Sequence, residues 1–184
     1  MSDAELIEYC SPTLAGLKTG SLFSTKAADW PALRKQLFEA NRRLVKKGIR
    51  VIPLQFRNGR CLIYVFRPAD LLEDLKQESV RSTLSQMGYQ TSGTAECLRH
   101  LMERLRAQKE FPHEIGFFLG YPAEDVLGFM HDPDTGCVHH GLWKVYGDAE
   151  KAEAKFRQYD ACLRIYRKRL ALGIDLRDLA VKKH

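Results

Sequence analysis

Apolar residues recur at helical spacing along most of this chain and change to other patterns in only a few places. Between residues 29 and 48, Trp30, Leu33, Leu37, Leu44 and Val45 return every three or four positions, as on one face of an amphipathic helix. Asp29 and Pro31 suit the start of that helix, Lys46 and Lys47 its negative end, and Gly48 the left-handed position that closes it. The same spacing returns in Leu72, Leu75, Leu84 and Met87 after Pro68, and in Leu98, Leu101, Met102 and Leu105 ahead of Pro112. It is longest in Ala152, Phe156, Tyr159, Leu163, Tyr166 and Leu170, between Asp148 and Gly173, with a short final helix expected beyond. At the N-terminus Asp3 can cap a helix through Cys10. Ser11 and Pro12 then read as the cap and first position of a second helical turn, which ends at Gly20 and Ser21.

Two stretches break the helical period. The segments IRVIPLQF and RCLIYVF flank Asn58-Gly59, the dipeptide that favours a type I′ hairpin. Both carry apolar groups on both faces, so the hairpin is expected to be covered on each side. Pro53 has no N–H and places its strand at an edge or at a bulge. The second stretch, from Phe111 to Trp143, is the centre of the chain. Ile115 to Leu119 is continuously apolar between Pro112 and Pro122, which reads as a buried strand. A turn at Gly120-Tyr121, a helix from Pro122, the polar loop HDPDTGC and a strand at LWKVY come next. A right-handed parallel crossover could join these last two strands. The predicted fold is α/β, bordering on α+β, with a mixed four-stranded sheet, helices packed on it and the hairpin at Asn58-Gly59. One domain is expected over residues 1–184, with a short flexible C-terminal tail.

Composition narrows the class. With 45% hydrophobic residues in 184 the chain can bury a sizeable core, and no window approaches the roughly 20 apolar residues that cross a bilayer. The acidic, amphipathic start is unlike a secretory signal, and five widely spaced cysteines do not form a disulfide framework. A reducing cytoplasm is the simplest setting. The net charge of +6 permits an anionic partner, but the basic residues alternate with acids and no basic stripe interleaved with aromatics stands out, so a nucleic-acid partner is the least favoured reading.

Candidate chemistry lies beside the central stretch. The turns LGYP-AED and YGD-AE resemble phosphate cradles, but Glu124, Asp125, Asp148 and Glu150 would repel an anion and neither turn has a GxGxxG pattern. Cys137, His139 and His140 lie within four residues of each other and are the candidate metal ligands, though no CxxC or HExxH spacing supports them. For nucleophilic catalysis Cys10 is the best single thiol, set just before a helix N-terminus where the dipole favours thiolate, with His113 or His139 as a possible base and Glu114, next to His113, as a further catalytic candidate. Tyr121, Trp143, Lys144 and Tyr146 flank predicted strand ends and could line a ligand cleft, or could pack the long helix against the sheet. No cofactor is named by these residues.

The blocks CSPTLAGLKTGSLF, FPHEIGFFLGYPAEDVLGFM and GLWKVYGDAEKA resemble a bacterial family carried as a domain of unknown function, common in anaerobic clostridia and their relatives. The resemblance spans nearly the whole chain. It implies a cytoplasmic protein of an anaerobe built as one full-length domain, and it carries no activity, cofactor or catalytic residue with it. Three function classes are open to such a chain. The first is a soluble ligand-binding or regulatory protein with its site at the two strand-to-helix turns. The second is a Cys/His-dependent enzyme or metal or redox protein using Cys10, His113, Cys137 and His139. The third is a non-specific nucleic-acid binder.

Overall fold

The computed structural model describes residues 1–27, 29–107 and 110–183. In chain order the elements are α1 (Asp3–Leu14), β1 (Gly20–Lys26), α2 (Trp30–Leu44), β2 (Arg50–Arg57), β3 (Arg60–Phe66), α3 (Pro68–Lys76), α4 (Glu78–Gln86) and α5 (Thr94–Ala107). They continue with α6 (Ile115–Phe118), α7 (Ala123–His131), β4 (His139–His140), β5 (Lys144–Val145), α8 (Ala149–Ala171) and α9 (Leu176–Leu179). The chain gathers into two units, one made of residues 1–71 and the chain from 161 on, the other of residues 72–160.

In the first unit an antiparallel sheet has the order β1-β3-β2. Asn58 and Gly59 both adopt positive φ, 51° and 68°, as a type I′ turn requires, so the expected hairpin is present. Pro53 meets both of its alternatives: β2 is an edge strand, and its register against β3 shifts between Pro53 and Gln55. Strand β1 lies outside the sequence-based expectation. Its inward positions are Ser21, Phe23 and Thr25, two of them small hydroxyls, so the period-two hydrophobic signal is weak. Those hydroxyls are satisfied inside: Ser21 Oγ lies 2.9 Å from Thr13 Oγ1, and Thr25 donates to Glu5 Oε1 at 2.7 Å.

Helix α1 corrects the N-terminal reading. It is continuous from Asp3 to Leu14, opened by a capping box between Ser2 and Glu5, and Pro12 lies inside its last turn. Helix α2 is capped by Asp29, which accepts from Ala32 N at 2.7 Å, and it packs Leu33, Leu37, Ala40 and Leu44 inward. These meet Leu6, Ile7 and Leu14 of α1, Val51, Ile63 and Val65 of the sheet, and Leu176 and Leu179 of α9 in one core. Trp30 and Val45, expected on that inner face, are 46% and 39% exposed.

Arg67 ties this unit together. It is only 2% exposed, with Nε donating to Thr13 O at 2.7 Å and Nη2 to Leu14 O and Val181 O, each at 2.8 Å. Its Nη1 reaches Lys47 O at 3.3 Å. Helix α1 has no basic residue in its last turn, so this distant guanidinium satisfies its terminal carbonyls. The segment after α9, where a loose tail was expected, is held here as well. Val181 N donates to Leu14 O at 2.9 Å, and Lys183 pairs with Asp70 at 2.7 Å.

The second unit contains the central stretch, and here the strand expectation fails. Residues Ile115–Phe118 form α6, wound from bonds such as Gly116 N to His113 O and Leu119 N to Ile115 O. All four residues are buried, so no polar face revealed the helical period, and a short apolar run does not distinguish the two conformations. The predicted mixed four-stranded sheet is therefore the three-stranded antiparallel sheet plus a separate ladder, with His139 opposite Val145 and His140 opposite Lys144. Every strand pair among the described residues is antiparallel, so no parallel crossover joins them. The mixture of helices and strands and the hairpin stand.

Candidate functional site

Helix α6 closes with Gly120 at a φ of 71°, and the chain reverses so that Tyr121 N donates back to Gly116 O at 3.1 Å. Gly116 permits close approach at this corner. A Cβ there would lie 2.7 Å from Val126 Cγ2, which any larger residue would have to displace. The reversal delivers the chain into α7, whose first turn carries Asp125.

Asp125 is 3% exposed and holds three donors from the chain beyond α7. Its Oδ2 accepts from Trp143 Nε1 at 2.7 Å, and its Oδ1 accepts from Tyr146 N at 2.8 Å and Gly147 N at 2.9 Å. One carboxylate thus joins α7 to β5 and to the entry of α8. A buried charge is tolerated when hydrogen bonds replace its hydration, and these three donors do so. Trp143 is held at the same time by its rings: it stacks on Tyr121 at 4.6 Å and meets Phe156 edge-on at 4.5 Å.

Trp143 and Tyr121 form one wall of a cleft of about 260 Å³. Phe111, Ile115, Val126 and Phe129 supply most of the remaining lining, and His113, Lys144 and Asp125 its polar atoms. The His113 ring stands edge-on to Phe129 at 4.9 Å. Lys144 Nζ lies 5.6 Å from the centre of the Phe129 ring and donates to Pro133 O at 2.6 Å. That carbonyl belongs to a loop that Asp132 shapes by accepting from the backbone of Asp134 and Thr135. Of an ammonium's three donors, one is used in this contact.

Three of the four sequence-derived ligand candidates, Tyr121, Trp143 and Lys144, are therefore brought together in this cleft, and His113 joins them. Tyr146 is outside the lining: its hydroxyl donates to Pro133 O at 3.1 Å and its ring covers Gly128. Phe111, Val126 and Phe129 were missed. The three-residue spacing of Val126 and Phe129 on α7 was the available signal, since it puts both on one helical face.

The other candidates occupy different settings. Glu114 is 1% exposed, paired with Arg104 at 2.5 Å and accepting from the Tyr89 hydroxyl at 2.8 Å. Burial and this carboxylate raise the Tyr89 phenol far above its ordinary range. Cys137 donates to His139 O at 3.2 Å, and His139 stacks on Phe156 with Glu153 3.9 Å away. Among the described residues no group of three or more His, Cys, Asp or Glu is placed to hold a metal ion.

Cys10 departs most from its expected environment. It belongs to the first unit, lies within α1 ahead of its last turn, and is fully buried, which pushes its thiol far above the ordinary cysteine range. The helix N-terminus that would have favoured a thiolate is absent because α1 does not restart at Ser11. Beside it, burial pushes the Lys18 amine down to about 8 from 10.5. Between these values the unfolded chain holds a proton that the native chain has released, so stability gained from this group rises with pH across the window and is lost as pH falls through 8. Urea unfolding at pH 7 and pH 9.5 is expected to show wild type gaining on Lys18→Met by no more than about 1.4 kcal/mol per pH unit. A difference independent of pH would contradict this.

A family model described as protein of unknown function (DUF3793) matches residues 6–180. No curated protein and no solved structure matches the chain.

Proposed function

The chain belongs to the DUF3793 family, whose model spans both units, and from there we propose that it is a soluble cytoplasmic ligand-binding or regulatory protein whose second unit takes a small planar organic anion. The observation that carries this reading is the cleft itself, with aromatic walls at Tyr121, Trp143 and Phe129, the Lys144 ammonium among its lining, and the lining's one acid, Asp125, engaged by the donors of Trp143, Tyr146 and Gly147. Ligand pockets typically enclose about 300–1,000 Å³. A cleft of about 260 Å³ lies just below that range, which suits one or two fused rings better than a dinucleotide. Aromatic side chains along the cleft favour a flat ligand, and Lys144 favours a carboxylate at one end of it. Five free cysteines, four of them buried, agree with a reducing compartment, as does the resemblance to proteins of anaerobic bacteria.

The test is thermal unfolding across a panel of aromatic monocarboxylates and their neutral amides. A true ligand at about 100 times its Kd adds about 2.7 kcal/mol of stability. For a chain of this size that raises the melting temperature by about 5–10 °C. Lys144→Met is expected to abolish the preference for acid over amide, and Lys144→Arg to retain it. A panel in which no acid stabilises the protein more than its amide overturns the reading.

A further inference from the structure

We propose that the outer side of α2 and the turn end of the β2–β3 hairpin, both in the first unit, form a binding surface for single-stranded nucleic acid. Residues 26–60 hold ten lysines and arginines against two acids, a net of +8, whereas the whole chain carries +6. The remaining residues are therefore net negative by two, and the positive charge of this protein is concentrated in one segment.

The structure gives that segment a form. Trp30, Arg34, Phe38 and Arg42 succeed one another at four-residue steps, which brings them to one gently spiralling stripe about 18 Å long. All four are exposed, Trp30 by 46% and Phe38 by 65%. Trp30 continues the stripe onto the hairpin by meeting Phe56 edge-on at 6.4 Å. Beside the hairpin turn, on the face of the sheet opposite to Phe56, Lys26, Arg60 and Arg57 stand directly opposite one another across three strands. Like charges in direct register destabilise a sheet, and the Arg60 guanidinium is turned to Ser24, bonding its Oγ at 2.9 Å and its carbonyl at 3.0 Å. A polyanion across the row would convert that repulsion into attraction.

The alternation of cation and exposed ring selects the partner. Bases in a single strand offer their faces for stacking while their phosphates take the neighbouring cations, whereas bases in a duplex are already stacked. A membrane surface fits less well. The apolar face of α2 is turned into the core through Leu33, Leu37 and Leu44, so only separated rings remain to enter acyl chains.

The experiment tracks the anisotropy of a fluorescein-labelled oligothymidylate of about 20 nucleotides with the full chain, alongside Trp30 emission taken as the difference between wild type and Trp30→Phe. Saturable binding with Kd near or below about 10 µM at low salt is expected, with log K falling by about 0.7 per phosphate contact against log salt. Trp30 emission should be quenched on binding. The double variant Trp30→Ala/Phe38→Ala should bind at least about ten-fold more weakly, since stacking of each base is a substantial term, with an unchanged melting temperature. Arg57→Ser/Arg60→Ser should reduce the salt slope. No binding at low salt, or equal affinity in the aromatic variant, overturns the proposal. So does tighter binding to phosphatidylserine vesicles than to the oligonucleotide, or loss of oligonucleotide binding through self-association of the chain at this face.

Discussion

Replacing Asp125 with alanine is expected to destabilise the protein by about 3–5 kcal/mol. The substitution leaves the Trp143 indole N–H and the backbone N–H groups of Tyr146 and Gly147 without their common acceptor. Each hydrogen bond to a charged group contributes about 1.5–3 kcal/mol, and the three share one carboxylate, so their losses do not simply add. Asp125→Asn is expected to retain part of the stability. Its remaining oxygen can still accept, but its amide NH2 must then face a donor where the wild type has a second acceptor. Urea unfolding measures the cost, and near-UV circular dichroism reports whether Trp143 keeps its fixed environment. A loss below about 1 kcal/mol, the size of a single ordinary hydrogen bond, with an unchanged Trp143 signal, would show that Asp125 does not organise the cleft.

Arg67→Met is expected to cost a comparable amount, about 3–5 kcal/mol. Here the donor is lost and the carbonyls of Thr13, Leu14 and Val181 remain. Those of Thr13 and Leu14 are also the terminal carbonyls of α1, where a positive charge offsets the helix dipole. Burial lowers the basicity of Arg67, but a guanidinium stays protonated at neutral pH. Arg67→Lys is expected to recover little, because one ammonium does not reproduce a planar fork reaching both α1 and the chain after α9. Hydrogen exchange at Val181 separates the two roles of this side chain. Its amide, which donates to Leu14 O, should lose protection in both variants ahead of global unfolding. Protection equal to wild type would mean that the C-terminal segment is held without Arg67.

Asp125 and Arg67 also mark how far the residues themselves can be read. In sequence Asp125 is only a first-turn acid that would repel phosphate. Its helix position is legible from the pattern, but its three donors come from residues 18 to 22 positions later and no local rule connects them. Arg67 reads as a solubilising charge at a strand end, because nothing near it in sequence tells of the carbonyls of residues 13, 14 and 181. The hairpin is legible because its turn chemistry is local, carried wholly by Asn58 and Gly59. Strand β1 is hidden by the hydroxyls on its buried face, and α6 by having no polar face at all.

The cleft is partly legible for the same reason. Tyr121, Trp143 and Lys144 stand out as aromatic and basic residues at element ends, and the structure assembles them, although α6 rather than a strand leads into the corner. Cys10 fails as a candidate because its supposed helix N-terminus depends on breaking α1 at Ser11 and Pro12, and the helix continues through both. The basic stripe is masked by Trp30, which matches the apolar spacing of α2 but is 46% exposed at its first turn.

The central claim is that the second unit holds a planar organic anion against Trp143 and Lys144. Its most direct test is the emission of Trp143, isolated in a Trp30→Phe background and titrated with phenylacetate, benzoate and their amides. The account expects a saturable change with at least one acid, weakened about ten-fold or more by Lys144→Met, since a charge-assisted hydrogen bond is worth about 1.5–3 kcal/mol, and kept by Lys144→Arg. Trp143 emission that stays unchanged with every acid, or responds identically to acid and amide in all three proteins, would contradict it.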